Sequence, residues 1–195
     1  MRLVLRSLIF VVLISSLFAG DVFQLDPAHS SINFYVKHMV ISTVPGEFKD
    51  FTANIVFDKE DPTKMEVEVV IDAASINTDN PRRDRHLKSK DFLDVANYPQ
   101  ITFRSKKVEK KGDDEYVMIG DLTIRDVTRE VKLPFRINGV IIDPRGDTRV
   151  GMEGEMVINR QDFGVSWSRT LDNGGLVVAN EVKIKVNIEA FHPNE

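Results

Sequence analysis

Apolar and polar positions alternate with period two along nearly the whole chain beyond residue 22, the pattern of half-buried β-strands. Ile32, Phe34 and Val36 point one way, while Ser31, Asn33, Tyr35 and Lys37 point the other. Pro45-Gly46 reads as a turn into Phe51, Ala53, Ile55 and Phe57, and Asp61-Pro62 as a turn into Met65, Val67, Val69, Ile71 and Ala73. Ile101 and Phe103 lead to a hairpin tip at 110–114, after which Tyr116, Met118, Leu122 and Ile124 form the next face. Val131, Leu133, Phe135 and Ile137 follow, then a turn at 143–147 and the set Val150, Met152, Met156 and Ile158. Val182, Ile184, Val186, Ile188 and Ala190 close the series. The pattern predicts an all-β chain of about eight antiparallel strands on short turns. Such a meander closes into a barrel or folds into a sandwich, and alternation alone does not choose.

One stretch, residues 82–103, breaks the alternation. Arg82, Arg83, Asp84, Arg85 and His86 crowd five ionisable groups together, and Asp91, Phe92, Leu93, Asp94 and Val95 follow at about a helical turn's spacing. Pro99 then restricts Tyr98 to extended backbone, so the strand resumes there for a physical reason. The expectation is a short helical insertion between the third and fourth strands, folded over one end of a closed sheet and making that end polar.

With 195 residues and 42% apolar content, the chain supports one domain with a sizeable core. Residues 1–20 read as a signal peptide: Arg2 and Arg6, an apolar run over 8–14, and cleavage near Ala19 or Gly20. That leaves one domain over 21–195. The apolar run falls short of the roughly 20 residues a spanning helix needs, so no stable membrane insertion is expected. There is no cysteine, so the fold relies on its core alone. Without the leader, 24 basic residues face 30 acidic ones. That balance argues against nucleic acid and against anionic membranes as partners.

The chemistry-bearing residues are few. His29 sits in a turn, His38 ends a strand on its inward side, and His192 lies near the C-terminus, where solvation is expected. His86 with Asp84 would begin a general-base or metal arrangement, but no nucleophile motif or metal-ligand spacing completes it. Arg82, Arg83 and Arg85 fit either an anion site or a solvated turn bridged to Asp84, Asp91 and Asp94. Arg160 and Asp162 would lock a bend, with Gly164 supplying an unusual backbone angle. Trp167, in the loop 166–175, is placed to cap an open end.

These residues together resemble a known family. Phe23-Gln24-Leu25-Asp26-Pro27-Ala28-His29-Ser30-Ser31-Ile32, Gly46-Glu47-Phe48 and Ile71-Asp72-Ala73-Ala74-Ser75-Ile76-Asn77-Thr78 are similar to the YceI-like bacterial polyisoprenoid-binding proteins. So are Arg83-Asp84-Arg85-His86-Leu87 with Asp91-Phe92-Leu93-Asp94, Tyr98-Pro99-Gln100-Ile101-Thr102-Phe103, Leu122 to Thr128, and Asn159-Arg160-Gln161-Asp162-Phe163-Gly164. Asp126 departs from the pattern, standing where the family often has glycine.

The resemblance implies a lipocalin-like eight-stranded antiparallel barrel, exported to the periplasm, that holds a long isoprenoid or fatty-chain amphiphile without catalysis or cofactor. Phe34, Val36, Phe51, Ile55, Phe57, Val69, Ile71, Phe103, Ile124, Phe135, Val186 and Ile188 would line it. His38, Arg83, His86 and Arg160 are the headgroup candidates, from strand-end position and charge. No metal site is expected, and a homodimer is left open. The competing readings are a small periplasmic enzyme built on His86 and Asp84, and a ligand-free barrel with a packed interior.

Overall fold

A computed structural model of the chain describes residues 20–170, 172 and 174–194. Except for Gly20, the expected signal peptide lies outside the described residues. No helix among them is long and apolar enough to cross a membrane.

The strands are β1 (Asp21–Leu25), β2 (Ser31–His38), β3 (Ser42–Phe48), β4 (Phe51–Phe57), β5 (Glu66–Asp72), β6 (Ile76–Asn77), β7 (Gln100–Lys110), β8 (Glu115–Ile124), β9 (Val127–Ile142), β10 (Thr148–Asn159) and β11 (Val178–His192). They make eight staves, because three staves are interrupted. β1 and β2 form the first, broken by the Asp26 turn, β3 and β4 the second, and β5 and β6 the third. Each stave pairs antiparallel with the next, from Ile32↔Phe48 and Phe51↔Ile71 through Val69↔Phe103 to Val150↔Ala190. β11 then pairs with β1 (Leu25↔Ala190) and with β2 (Ile184↔Phe34), so the sheet closes on itself. The barrel alternative is the one the pairings select, and closure leaves free edge only locally, where β6 is too short to pair the first residues of β3.

The helix α1 (Pro81–Lys88) lies between the third and fourth staves, as expected. Its start is explained locally. The Asn80 side chain accepts hydrogen bonds from the amides of Arg82 and Arg83, and Pro81 occupies the first turn, where its missing N–H costs nothing. The helix stops at Ser89, and residues 91–95 form turns that bury Phe92 rather than a second helical stretch.

Pro45-Gly46 is not a turn. Both residues sit inside β3, and the chain reverses at Met39 and Val40 instead. Proline is tolerated there because β6 pairs with β3 only at Glu47 and Phe48, leaving Pro45 on a free edge. Gly46 answers to Phe34 across the pair: a Cβ at 46 would come within 2.2 Å of that ring. Gly46→Ala is therefore expected to push Phe34 into the barrel. It should cost about 1–3 kcal/mol of stability, read by urea unfolding.

The region of Asp126 also differs from expectation. The positive backbone angle of that two-residue turn falls on Arg125 (φ 59°), not on Asp126. Arg125 is held there by a hydrogen bond to the Gly164 carbonyl (2.9 Å) and by its stacking over the Tyr98 ring.

An ionic knot ties the first stave to the last two. Arg149 donates to Asp26 (2.9 Å), Asp143 (2.7 Å) and Glu189 (2.6 Å), and lies over the Phe191 ring. The bonds from Arg149 and then His29 hold the Asp26 carboxyl down at about 2. A depressed carboxyl stabilises the fold fully above about pH 4 and loses that contribution as pH falls toward 2. Arg149→Met should lower stability near neutrality, because three carboxylates lose their shared cation. It should also lose less than the parent between about pH 4 and 2, which urea midpoints across that window would show.

Candidate ligand tube and its mouth

The inward faces of the staves do not meet in the middle. They surround an apolar cavity of about 440 Å³, within the range of known ligand pockets. One end is sealed. Phe57 (1% exposed) meets Phe23 edge-on at 5.5 Å, and Tyr116 stacks on Phe135 at 5.5 Å. Met65, Val108, Ile137 and Val150 complete this floor. On β11 the lining runs from Ile188 near the floor to Val178 at the rim. Ten residues at about 3.3 Å each, on a strand tilted about 40°, give a tube roughly 25 Å deep. A bilayer's hydrocarbon core is about 30 Å for two leaflets, so the tube exceeds the depth of one acyl layer.

Phe34, Val36, Ile55, Val69, Ile71, Phe103, Ile124, Phe135, Val186 and Ile188 line the cavity. Phe57 and Phe51 do not. Phe57 is consumed in the floor, and Phe51 packs into the apolar cluster beneath the cap formed by residues 73–99. Sequence reasoning missed Leu87 and Phe92, which border the cavity from the cap, while Trp167 borders it from the loop beyond β10, at the open end where it was expected. Gly154 also lines the wall opposite Val186, where a Cβ would come within 3.0 Å of the Pro134 carbonyl and 3.2 Å of Leu133.

The four headgroup candidates all border the cavity at this open end. Their donors are engaged to different degrees. Arg83 donates twice to Thr78, through Nε to Oγ1 and through Nη2 to the carbonyl, both at 2.7 Å. Asp84 accepts from the Thr78 amide at 2.9 Å, so it holds the helix to the strand end. It does not orient His86 as expected, because residues two apart on a helix face different ways. His86 Nε2 instead lies 3.1 Å from Asp91, and its ring meets Phe92 and Trp167 edge-on at 5.0 and 5.2 Å. Trp167 thus caps the mouth. The predicted bridges from Arg82, Arg83 and Arg85 to Asp84, Asp91 and Asp94 do not form among the described residues.

Arg160 is the unusual member. It begins the 3-10 turn Arg160–Phe163, closed by Gly164 at φ 74°, and is 5% exposed. Its guanidinium donates to the carbonyls of Ala179 (2.9 Å), Val165 (2.6 Å) and Val178 (3.3 Å) and to Asn180 Oδ1 (3.1 Å). No carboxylate neutralises it among the described residues, and burial lowers its pKa from the usual guanidinium value. A buried cation solvated by neutral carbonyls leaves the mouth electrically positive.

Elsewhere, His29 bonds its own turn through Asp26 (3.1 Å). His192 remains partly exposed, but because β11 runs to it its ring also packs on Phe23 and bonds the Val22 carbonyl at 2.9 Å. Asp26, His29 and Glu189 come close enough to share a cation. The Arg149 guanidinium already bridges both carboxylates, so the cluster reads as an ion-pair network.

The profile of the YceI-like domain matches residues 23–190, the entire barrel apart from its terminal edges. The chain belongs to the YceI-like family. Protein YceI of Escherichia coli is 42% identical over 137 residues, covering 70% of this chain and 71% of that protein. Burkholderia cenocepacia BcnA shares the fold with a TM-score of 0.75 at 27% identity, over 85% of this chain and 98% of that one. A polyisoprenoid binding domain from Saccharophagus degradans, at 15% identity, shares the fold alone, with a TM-score of 0.63 over 88% and 98% of the two chains.

Proposed function

We propose that this YceI-like chain is an exported carrier that holds a long-chain amphiphile, a polyisoprenoid or a similar lipid, lengthwise in its barrel. The observation that carries the reading is the blind apolar tube, about 440 Å³, opening at one end among cationic and imidazole side chains. Its depth suits a chain longer than one acyl layer, and the Saccharophagus relative of the same fold is a polyisoprenoid binding domain. Each buried methylene contributes about 0.8 kcal/mol, so a long tail offsets the ordering cost of binding without any specific polar contact. Selectivity then rests on tube length and on the mouth. The headgroup would sit beside His38 and His86, within the field of Arg160 and Arg83. The leader at 1–20 and the periplasm as the place of action belong to the same proposal.

The test is mass spectrometry of an organic extract of the protein purified from its own host. A stoichiometric long-chain lipid supports the carrier reading. A blank extract from folded protein that also takes up no added polyprenyl lipid overturns it. An anionic headgroup is expected to bind more tightly than a neutral analogue of equal tail length, and His86→Ala with His38→Ala should narrow that difference. Equal binding of the two lipids would remove the headgroup assignment while leaving the tube.

A further inference from the structure

The β2–β3 turn is built against ordinary turn chemistry. Ile41 donates to the His38 carbonyl at 3.2 Å, which makes Met39 and Val40 the central residues. Both have positive φ, 51° and 67°. Hairpin turns with two such angles favour Asn-Gly, and a β-branched residue there is a true outlier. None of the three side chains belongs to the barrel's core clusters. Val40 is 66% exposed, Ile41 86% and Met39 39%. An apolar, strained, solvent-facing tip is therefore kept where a polar one would fold more easily.

Its position gives it meaning. The Met39 amide donates to the Val177 carbonyl at 2.9 Å, tying the tip to the loop whose Trp167 packs on His86 of α1. Tip, loop and helix thus ring the same mouth. Arg82, Arg85, Lys88 and Lys90 on that rim have no carboxylate partner among the described residues. The nearby acids Asp84, Asp91 and Asp94 are engaged by Thr78, His86 and Asn97. Charge is also unevenly placed along the barrel axis. The connections at the open end hold eight basic and seven acidic residues, whereas those at the sealed end hold four and seven up to residue 194. Net charge argued against an anionic surface, but its distribution makes the mouth the positive pole of an acidic molecule.

We propose that the mouth docks on an anionic phospholipid bilayer, with Met39, Val40 and Ile41 entering the interface and the rim cations meeting the headgroups. Apolar anchors combined with surface cations are how peripheral proteins hold such membranes. The inference does not depend on what the tube carries, since vesicle binding and cargo extraction are measured separately.

The experiment is flotation of the exported, processed protein with vesicles of phosphatidylcholine alone and of phosphatidylcholine mixed with phosphatidylglycerol. The expected result is binding to the mixed vesicles that weakens with added salt. Val40→Asn with Ile41→Ser should reduce partitioning about tenfold or more while leaving the melting temperature equal or higher, because asparagine tolerates the backbone angle. Arg82→Glu with Arg85→Glu should remove the preference for phosphatidylglycerol. Ile141→Ser with Ile142→Ser changes an equally exposed apolar pair at the sealed end and should leave binding unchanged. No binding to either vesicle, or equal losses from both apolar pairs, overturns the proposal. So does a tip variant that still binds vesicles but turns a sedimenting dimer into a monomer, which would make the tip a contact between copies.

Discussion

Val186→Trp is expected to fold like the parent and to lose uptake of long-chain lipid by about a hundredfold or more. Val186 lines the tube on β11, and its partner across the pair, Gly154, presents no side chain. The space over Gly154 is taken by Leu133 and Phe135, so an indole at 186 must extend into the cavity itself, across the passage. Burying that ring contributes apolar contact to the wall, so thermal stability should hold or rise. The lipid tail, by contrast, loses every methylene that would lie below the obstruction, at about 0.8 kcal/mol each. Titration with a fluorescent polyprenyl lipid, alongside a melting curve, checks both halves. Retained uptake by the folded variant would mean that the lipid binds outside the barrel.

Arg160→Met should destabilise the barrel by about 3–5 kcal/mol. Four acceptors lose a charged donor at once: the carbonyls of Val165, Val178 and Ala179, and Asn180 Oδ1. These groups join the turn after β10 to the start of β11, so the loss falls on the seam that frames the mouth. Methionine fills much of the volume but donates nothing, which isolates the hydrogen bonds from the packing. Arg160→Lys should recover little, because an ammonium on a single stem cannot reach four acceptors that a planar fork spans. Urea unfolding of both variants gives the comparison. A change under about 1 kcal/mol for methionine would show that the guanidinium serves only the ligand.

The eight staves were legible because alternation reports which side of a strand a residue faces. It says nothing of depth along the barrel. Ile55 and Phe57 share parity, yet one lines the cavity and the other closes it. Turn chemistry misled at Pro45-Gly46, where composition signals a reversal but a free strand edge and the Phe34 ring explain both residues. The true reversal at Met39-Val40 carries no turn-forming residue, so no local signal marks it. His86 was paired with the neighbour nearest in sequence, whereas its carboxylate lies past the end of the helix, at Asp91. The burial of Arg160 could not be read from its own position. It depends on carbonyls 18 and 19 residues away that the closing strand brings back.

Closure itself has a consequence in time. β11 carries the partners of both β1 and β2, and the register joins residues about 160 positions apart. Every other pairing in the meander links consecutive staves and can form as the chain emerges. The first stave alone must wait, one edge unpaired, until the last residues arrive. Long-range pairing of this kind is slow, and an open strand edge invites intermolecular pairing meanwhile. With no cysteine to tether intermediates, truncation within β11 should yield aggregated rather than loosely folded chains, and the vulnerable interval ends only when synthesis does.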